Sequence, residues 1–188
     1  MRKLVMLGLF IGFFAAMASG PLAKDSKAEQ QAKIRKMAKS TLSELYKIHP
    51  SAKTAVQGAA GYAVFSNFGM KILVAGGGSG KGLAVNNKTK REVFMKMAEI
   101  QAGLGFGVKK FKLVWVFETE AALNSFVDSG WEVGGQATAS AKYEGTGAAF
   151  QGALSIAPGV WLYQMTDKGL ALELTAKGTK YYKDKDLN

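Results

Sequence analysis

Glycine is nearly absent from residues 24–57 and then recurs throughout residues 58–182. The first zone is rich in Lys, Ala and Gln; the second carries β-branched and aromatic residues in short alternating runs. A stable helix tolerates neither dense glycine nor a period of two, so the break predicts a helical segment followed by a mostly antiparallel sheet. The expected class is α+β: a Gly-rich sheet or sandwich with an N-terminal amphipathic helix and one short inserted helix. A chain of 188 residues accommodates one such domain.

The helix is expected from Asp25 or Ser26 to Ile48. Ile34, Met37, Ala38, Thr41, Leu42, Leu45 and Ile48 recur at three- and four-residue spacing and share one face. Lys33, Arg35, Lys36, Lys39 and Lys47 occupy the rest of the circumference. His49-Pro50 stops the helix, because Pro disfavours helical geometry in the residue before it. A second short helix follows over 51–57. Strands are predicted at Gly61–Phe65, Lys71–Ala75, Leu83–Val85 and Glu92–Met97, with a polar turn over Asn86–Lys90. The run Gln101–Phe117 reads as one long strand. A short helix over Thr119–Asp128 has Glu118 and Glu120 near its positive end. Trp131–Tyr143, Gly159–Met165 and Leu170–Ala176 complete the strands.

The first 18 residues read as a cleavable secretory leader. Arg2 and Lys3 precede the apolar run Leu4–Met17, and Ala16-Met17-Ala18 gives the small-x-small site. As an uncleaved anchor, the run of about 15 residues at ~1.5 Å each falls short of a ~30 Å hydrocarbon core. No Cys follows it, which excludes lipoprotein attachment. The expected organisation is a leader over 1–18, a helical segment over 19–57 and a β-rich body over 58–188, the last two forming one domain. The expected address is periplasmic or secreted. Loss of Arg2 and Lys3 leaves 23 basic against 14 acidic groups, a net charge of +9. For an exported chain that charge points to anionic lipid or another envelope polyanion and away from nucleic acid. Solubility alone is the competing explanation of the charge.

Chemistry-bearing residues are few. The absence of Cys removes disulfides, thiol catalysis and Cys-held metals, and a single His49 removes multi-His sites. No cofactor, no metal and no enzymatic activity are expected. Glu118/Glu120 and Asp184/Asp186 read as helix-end and tail charges, although a carboxylate pair assembled only in space would make a hydrolase.

The sharpest motif is Gly76-Gly77-Gly78-Ser79-Gly80-Lys81-Gly82. It fails as a Walker A loop: Ala75 stands where the first Gly is needed, and Gly82 replaces the Ser or Thr after Lys81. Such a run permits a tight turn, a bulge or the close approach of another backbone, a structural turn or bulge being the commoner meaning. The functional alternative is a backbone-lined anion site over Gly77, Gly78, Ser79 and Gly80, with Lys81 as its charge. Gly103, Gly105 and Gly107 would leave one strand face bare, for packing or for a ligand. Lys109, Lys110 and Lys112 follow as further anion-binding candidates. The helix cations Lys33, Arg35, Lys36 and Lys39 either face water while the helix packs on its sheet, the commoner case, or lie on an anionic membrane.

The segments GYAVFSNFGMKILVAGGGSGKGLAV, IQAGLGFGVKKFKLVWVFETEAALNSFVDSGWEVGGQATAS and KGLALELTAKGTKYYKD, in that order, resemble the SYLF domain family over about residues 30–182. The resemblance implies a lipid-binding domain. Eukaryotic members are associated with phosphoinositide membranes and actin, partly through a basic N-terminal helix, and bacterial members are typically exported. By position it implicates Lys33, Arg35, Lys36 and Lys39, and Gly77 to Lys81. The chain departs from the family pattern at Lys109-Lys110-Phe111-Lys112, where an acidic residue is common, and at Lys183, where Gly is usual. Actin is not expected as the partner of an exported chain. The resulting expectation is a non-enzymatic exported domain on an anionic lipid or membrane surface; the alternative is a structural envelope protein on a cell-wall or outer-layer polyanion.

Overall fold

The computed structural model describes residues 25–72, 75–102, 107–133, 150–166, 169–170 and 178–188. Helix α1 runs Lys27–Ile48 and is opened by a capping box. The Ser26 hydroxyl accepts from the Glu29 backbone N–H at 3.2 Å, and the Glu29 carboxylate accepts from the Ser26 N–H at 2.7 Å. His49 closes the helix, and α2 follows over Ser51–Gly58. Helix α3, Glu120–Asn124, is capped by Thr119 and continues as a π-helical turn over Ser125–Ser129.

The strands are β1 Gly61–Ile72, β2 Ala75–Asn86, β3 Glu92–Ala102, β4 Gly107–Phe117, β5 Trp131–Val133, β6 Leu154–Ala157, β7 Val160–Thr166, β8 Gly169–Leu170 and β9 Thr179–Lys183. Among the described residues they form one antiparallel sheet in the order β5-β9-β3-β2-β1-β4-β7-β6, with β8 paired to β7. The expected class, α+β with a mostly antiparallel sheet, is what is observed; the described strands make one sheet and not a sandwich.

Both faces of that sheet are buried. Phe65, Met95, Leu113, Trp115 and Phe117 pack on one side around Phe126 and Tyr181. On the other side α1 sets Ile34, Ala38 and Leu45 onto Val64, Leu83, Val114 and Tyr163. Consecutive Ala63, Val64 and Phe65 are therefore all fully buried, as strands covered on both faces require.

Three strand expectations are corrected. Residues 76–82 are not a turn: β1 continues to Ile72, β2 begins at Ala75, and the glycines lie inside β2, paired with β1 on one edge and β3 on the other. There they permit close approach, since a Cβ on Gly80 would sit 2.5 Å from the Ser66 carbonyl oxygen. The run over 101–117 is two strands, the end of β3 and all of β4. Strands β6 and β9 were not expected. Residues 1–24, Gly103, Gly105 and most of the runs Trp131–Tyr143 and Leu170–Ala176 lie outside the described residues.

Candidate functional site

Antiparallel register sets a row of polar residues across five strands. Ser66 on β1 stands opposite Lys81 on β2 and Lys112 on β4. Lys81 stands opposite Lys96 on β3, and Lys96 opposite Tyr182 on β9. On the other flank Lys112 faces Met165 on β7. Directly opposite residues point to the same face, here the face that carries α1. Ser79 and Lys110 lie two residues further along β2 and β4, on that same face. Together these side chains line a cavity of about 600 Å³ beside α1, walled by lysines and by the apolar bodies of Met165 and Tyr182.

The four lysines are not equivalent. Lys96 is held by Asp184 at 2.7 Å and Asp186 at 3.0 Å. These bonds, Asp184 first, raise its ammonium above the usual 10.5. Asp184 is only 1% exposed, so this pair is a fixed part of the fold. Lys112 is paired with Glu44 of α1. Lys81 donates to the neutral Gln30 Oε1 at 2.8 Å. Lys110 is exposed and has no carboxylate in ion-pair contact among the described residues.

Residues 98–188 match the family model for Ysc84, described as "Las17-binding protein actin regulator". Over this segment, just under half of the chain, the protein is similar to the SYLF, or Ysc84, family. The chain is also 35% identical over 168 residues, 85% of its length, to the Beta cell expansion factor A of Aeromonas veronii, and it spans 59% of that relative's length. Lys110, Lys112, Met165, Tyr182 and Asp184 come from the SYLF-matched segment; Lys81, Lys96 and α1 precede it.

The SYLF-like helix candidates divide into two pairs. Lys33 donates to Asp25 at 2.7 Å, and this hydrogen bond raises its ammonium above the usual value. Arg35 reaches Glu92 at 2.7 Å and lies 5.0 Å over the Phe94 ring, so it ties α1 to β3. Lys36 and Lys39 are exposed and, among the described residues, form no ion pair.

The backbone-lined anion loop over Gly77–Gly80 is overturned. Both edges of β2 are engaged in ladders, so its N–H groups are not gathered into a loop that could cradle an anion. Lys81 remains as a side-chain donor. Lys109 takes the register position opposite Gly69; Lys110 and Lys112 line the cavity. Asp184, read as a tail charge, is instead the buried partner of Lys96. Lys96 and Glu44 were missed. The sequence did not place Lys96: counting outward equally from the Asn86–Lys90 turn sets Lys81 against Met95, and only the observed Asn86/Arg91 closure brings Lys81 and Lys96 opposite each other. No described helix is long and apolar enough to cross a membrane.

Proposed function

We propose that this protein is an exported, non-enzymatic SYLF-family module that associates with anionic lipid surfaces. The observation that carries the reading is the cavity of about 600 Å³, in which Lys81, Lys96, Lys110 and Lys112 stand beside Met165 and Tyr182. Ammonium groups over an apolar floor suit an amphiphile with an anionic head. A purely polar polyanion of the cell envelope would use the lysines and leave the apolar groups unexploited. The exposed Lys36 and Lys39 on α1 add positive charge outside the cavity. The leader expected over residues 1–18 would direct the chain out of the cytoplasm, which is why actin, named in the family description, is not the partner proposed.

Flotation with vesicles tests this. The protein is expected to float with vesicles containing anionic lipid, to stay behind with neutral phosphatidylcholine, and to release as salt rises, because screening shortens the reach of each charge. Equal partition to neutral and anionic vesicles, or binding to a soluble polyanion with none to vesicles, refutes the lipid reading.

A further inference from the structure

Lys81 and Lys96 occupy directly opposed positions on adjacent strands. Like charges so placed destabilise a sheet, and an otherwise ordinary strand pair gains nothing from them. Lys110 and Lys112 add two more ammonium groups on the same face, two residues apart along β4. Lys96 is relieved by Asp184 and Asp186 and Lys112 by Glu44, whereas Lys81 rests on a neutral amide and Lys110 has no carboxylate partner among the described residues. The uncompensated charge is therefore concentrated between β2 and β4. Ser66 lies midway on β1, and Ser79 stands next to Lys81's neighbourhood along β2.

We infer that this cavity is a stoichiometric site for a phosphomonoester, held by Lys81 and Lys110 with the Ser66 and Ser79 hydroxyls, and that Glu44 holds Lys112 back as an internal competitor. The width fits. Lys81 and Lys110 stand two strand spacings apart, about 9.5 Å, and two residues out of line, about 7 Å, so about 12 Å separates them, a gap that two extended lysine side chains span to meet one tetrahedral group. A phosphomonoester carries between one and two negative charges at neutral pH and offers three acceptor oxygens, enough for two ammonium groups and a hydroxyl together. A carboxylate has only two oxygens and one charge. Lys81 exchanges its bond to Gln30 for one to phosphate, so no ion pair is broken on entry. Lys112 joins only as Glu44 yields. Lys96 stays with the buried Asp184 and supplies field without contact.

The inference deepens the lipid reading and rests on it only for the source of the phosphate, which can be a lipid head group or a soluble ester. Titration calorimetry with glycerol 3-phosphate on the purified protein tests the site itself. One saturable site is expected, weakened about fivefold or more by Lys81→Ala and by Lys110→Ala. Glu44→Gln should tighten binding severalfold by freeing Lys112. Glu120→Gln makes the same change in net charge at α3, far from the cavity, and should leave affinity unchanged. Vesicles with phosphatidic acid, a monoester, are then compared with phosphatidylglycerol, a diester, at matched surface charge. Preference for phosphatidic acid identifies the lipid as the source; equal binding with retained glycerol phosphate affinity identifies a soluble ester. Absence of a saturable site for glycerol phosphate, or equal effects of Glu44→Gln and Glu120→Gln, overturns the inference. If vesicles still float in a salt-sensitive way in that case, the lipid reading survives its loss.

Discussion

Phe65 lays its ring across Gly82 on the neighbouring strand. The two residues are register partners, and a Cβ on Gly82 would sit 2.5 Å from Phe65 Cε1. Phe65 is fully buried and meets Tyr181 edge-on, with ring centroids 5.0 Å apart, so it has little room to yield. Gly82→Ala is expected to cost about 1–3 kcal/mol through overpacking, read as a lower midpoint in urea with an unchanged slope. An unchanged midpoint would show that the ring can move aside.

The Lys96–Asp184 pair anchors the chain end against β3. Asp184 donates its backbone N–H to the Phe94 carbonyl at 2.9 Å, and Leu187 behind it is buried. Asp184→Asn should cost about 2–3 kcal/mol, below the 3–5 of a fully buried pair because the Lys96 side chain is 31% exposed. Thermal melts measure it; a loss under about 0.5 kcal/mol, typical of surface changes, would reduce the pair to decoration.

Arg35 separates from its neighbours on α1. Its contacts to Glu92 and Phe94 are half-exposed, so Arg35→Gln should lower stability by only about 0.5–1 kcal/mol. Lys36→Gln and Lys39→Gln should leave the melting temperature unchanged. Equal effects at all three positions would refute the division of roles.

Alkaline pH should unfold the protein together with tyrosine ionisation. Burial pushes the Tyr46 and Tyr163 hydroxyls up to about 12 and raises the wholly buried Tyr181 further. A group whose folded value is raised contributes stability that is intact below its unfolded value, near 10, and that is lost as pH rises through the folded value. Tyrosinate absorbance and loss of ellipticity should therefore rise together above about pH 10 for these buried residues. Full ionisation with the fold retained would contradict their burial.

Much of the architecture could be read from composition and spacing. The polar turn over Asn86–Lys90 is formed, with Asn86 Oδ1 accepting from the Lys88 and Thr89 N–H groups at 3.0 and 2.9 Å. The short helix over Thr119–Asp128 was visible with Glu118 and Glu120 beside its positive end. Glycine misled at 76–82, because a run that usually breaks strands here serves rings and backbone crossing from β1 and β3. That cause lies in tertiary packing, which local propensity does not contain. The site was half legible. Lys81, Lys110 and Lys112 were candidates from their motifs, but their convergence depends on β1 lying between β2 and β4, which a strand pattern does not specify. Asp184 looked like a tail charge because nothing near it in sequence shows that the tail folds back onto β3.

The cationic side of the molecule is tested most directly by vesicle flotation of a variant with Lys36, Lys39, Lys81 and Lys110 all changed to Gln. None of the four makes an ion pair among the described residues, so the melting temperature should stay close to that of the unaltered protein. Each lysine near an anionic surface contributes about 1 kcal/mol, so losing all four should weaken binding by up to about a thousandfold. The expected result is a folded protein that no longer floats with anionic vesicles at moderate salt. A folded variant that floats as well as the unaltered protein would contradict it.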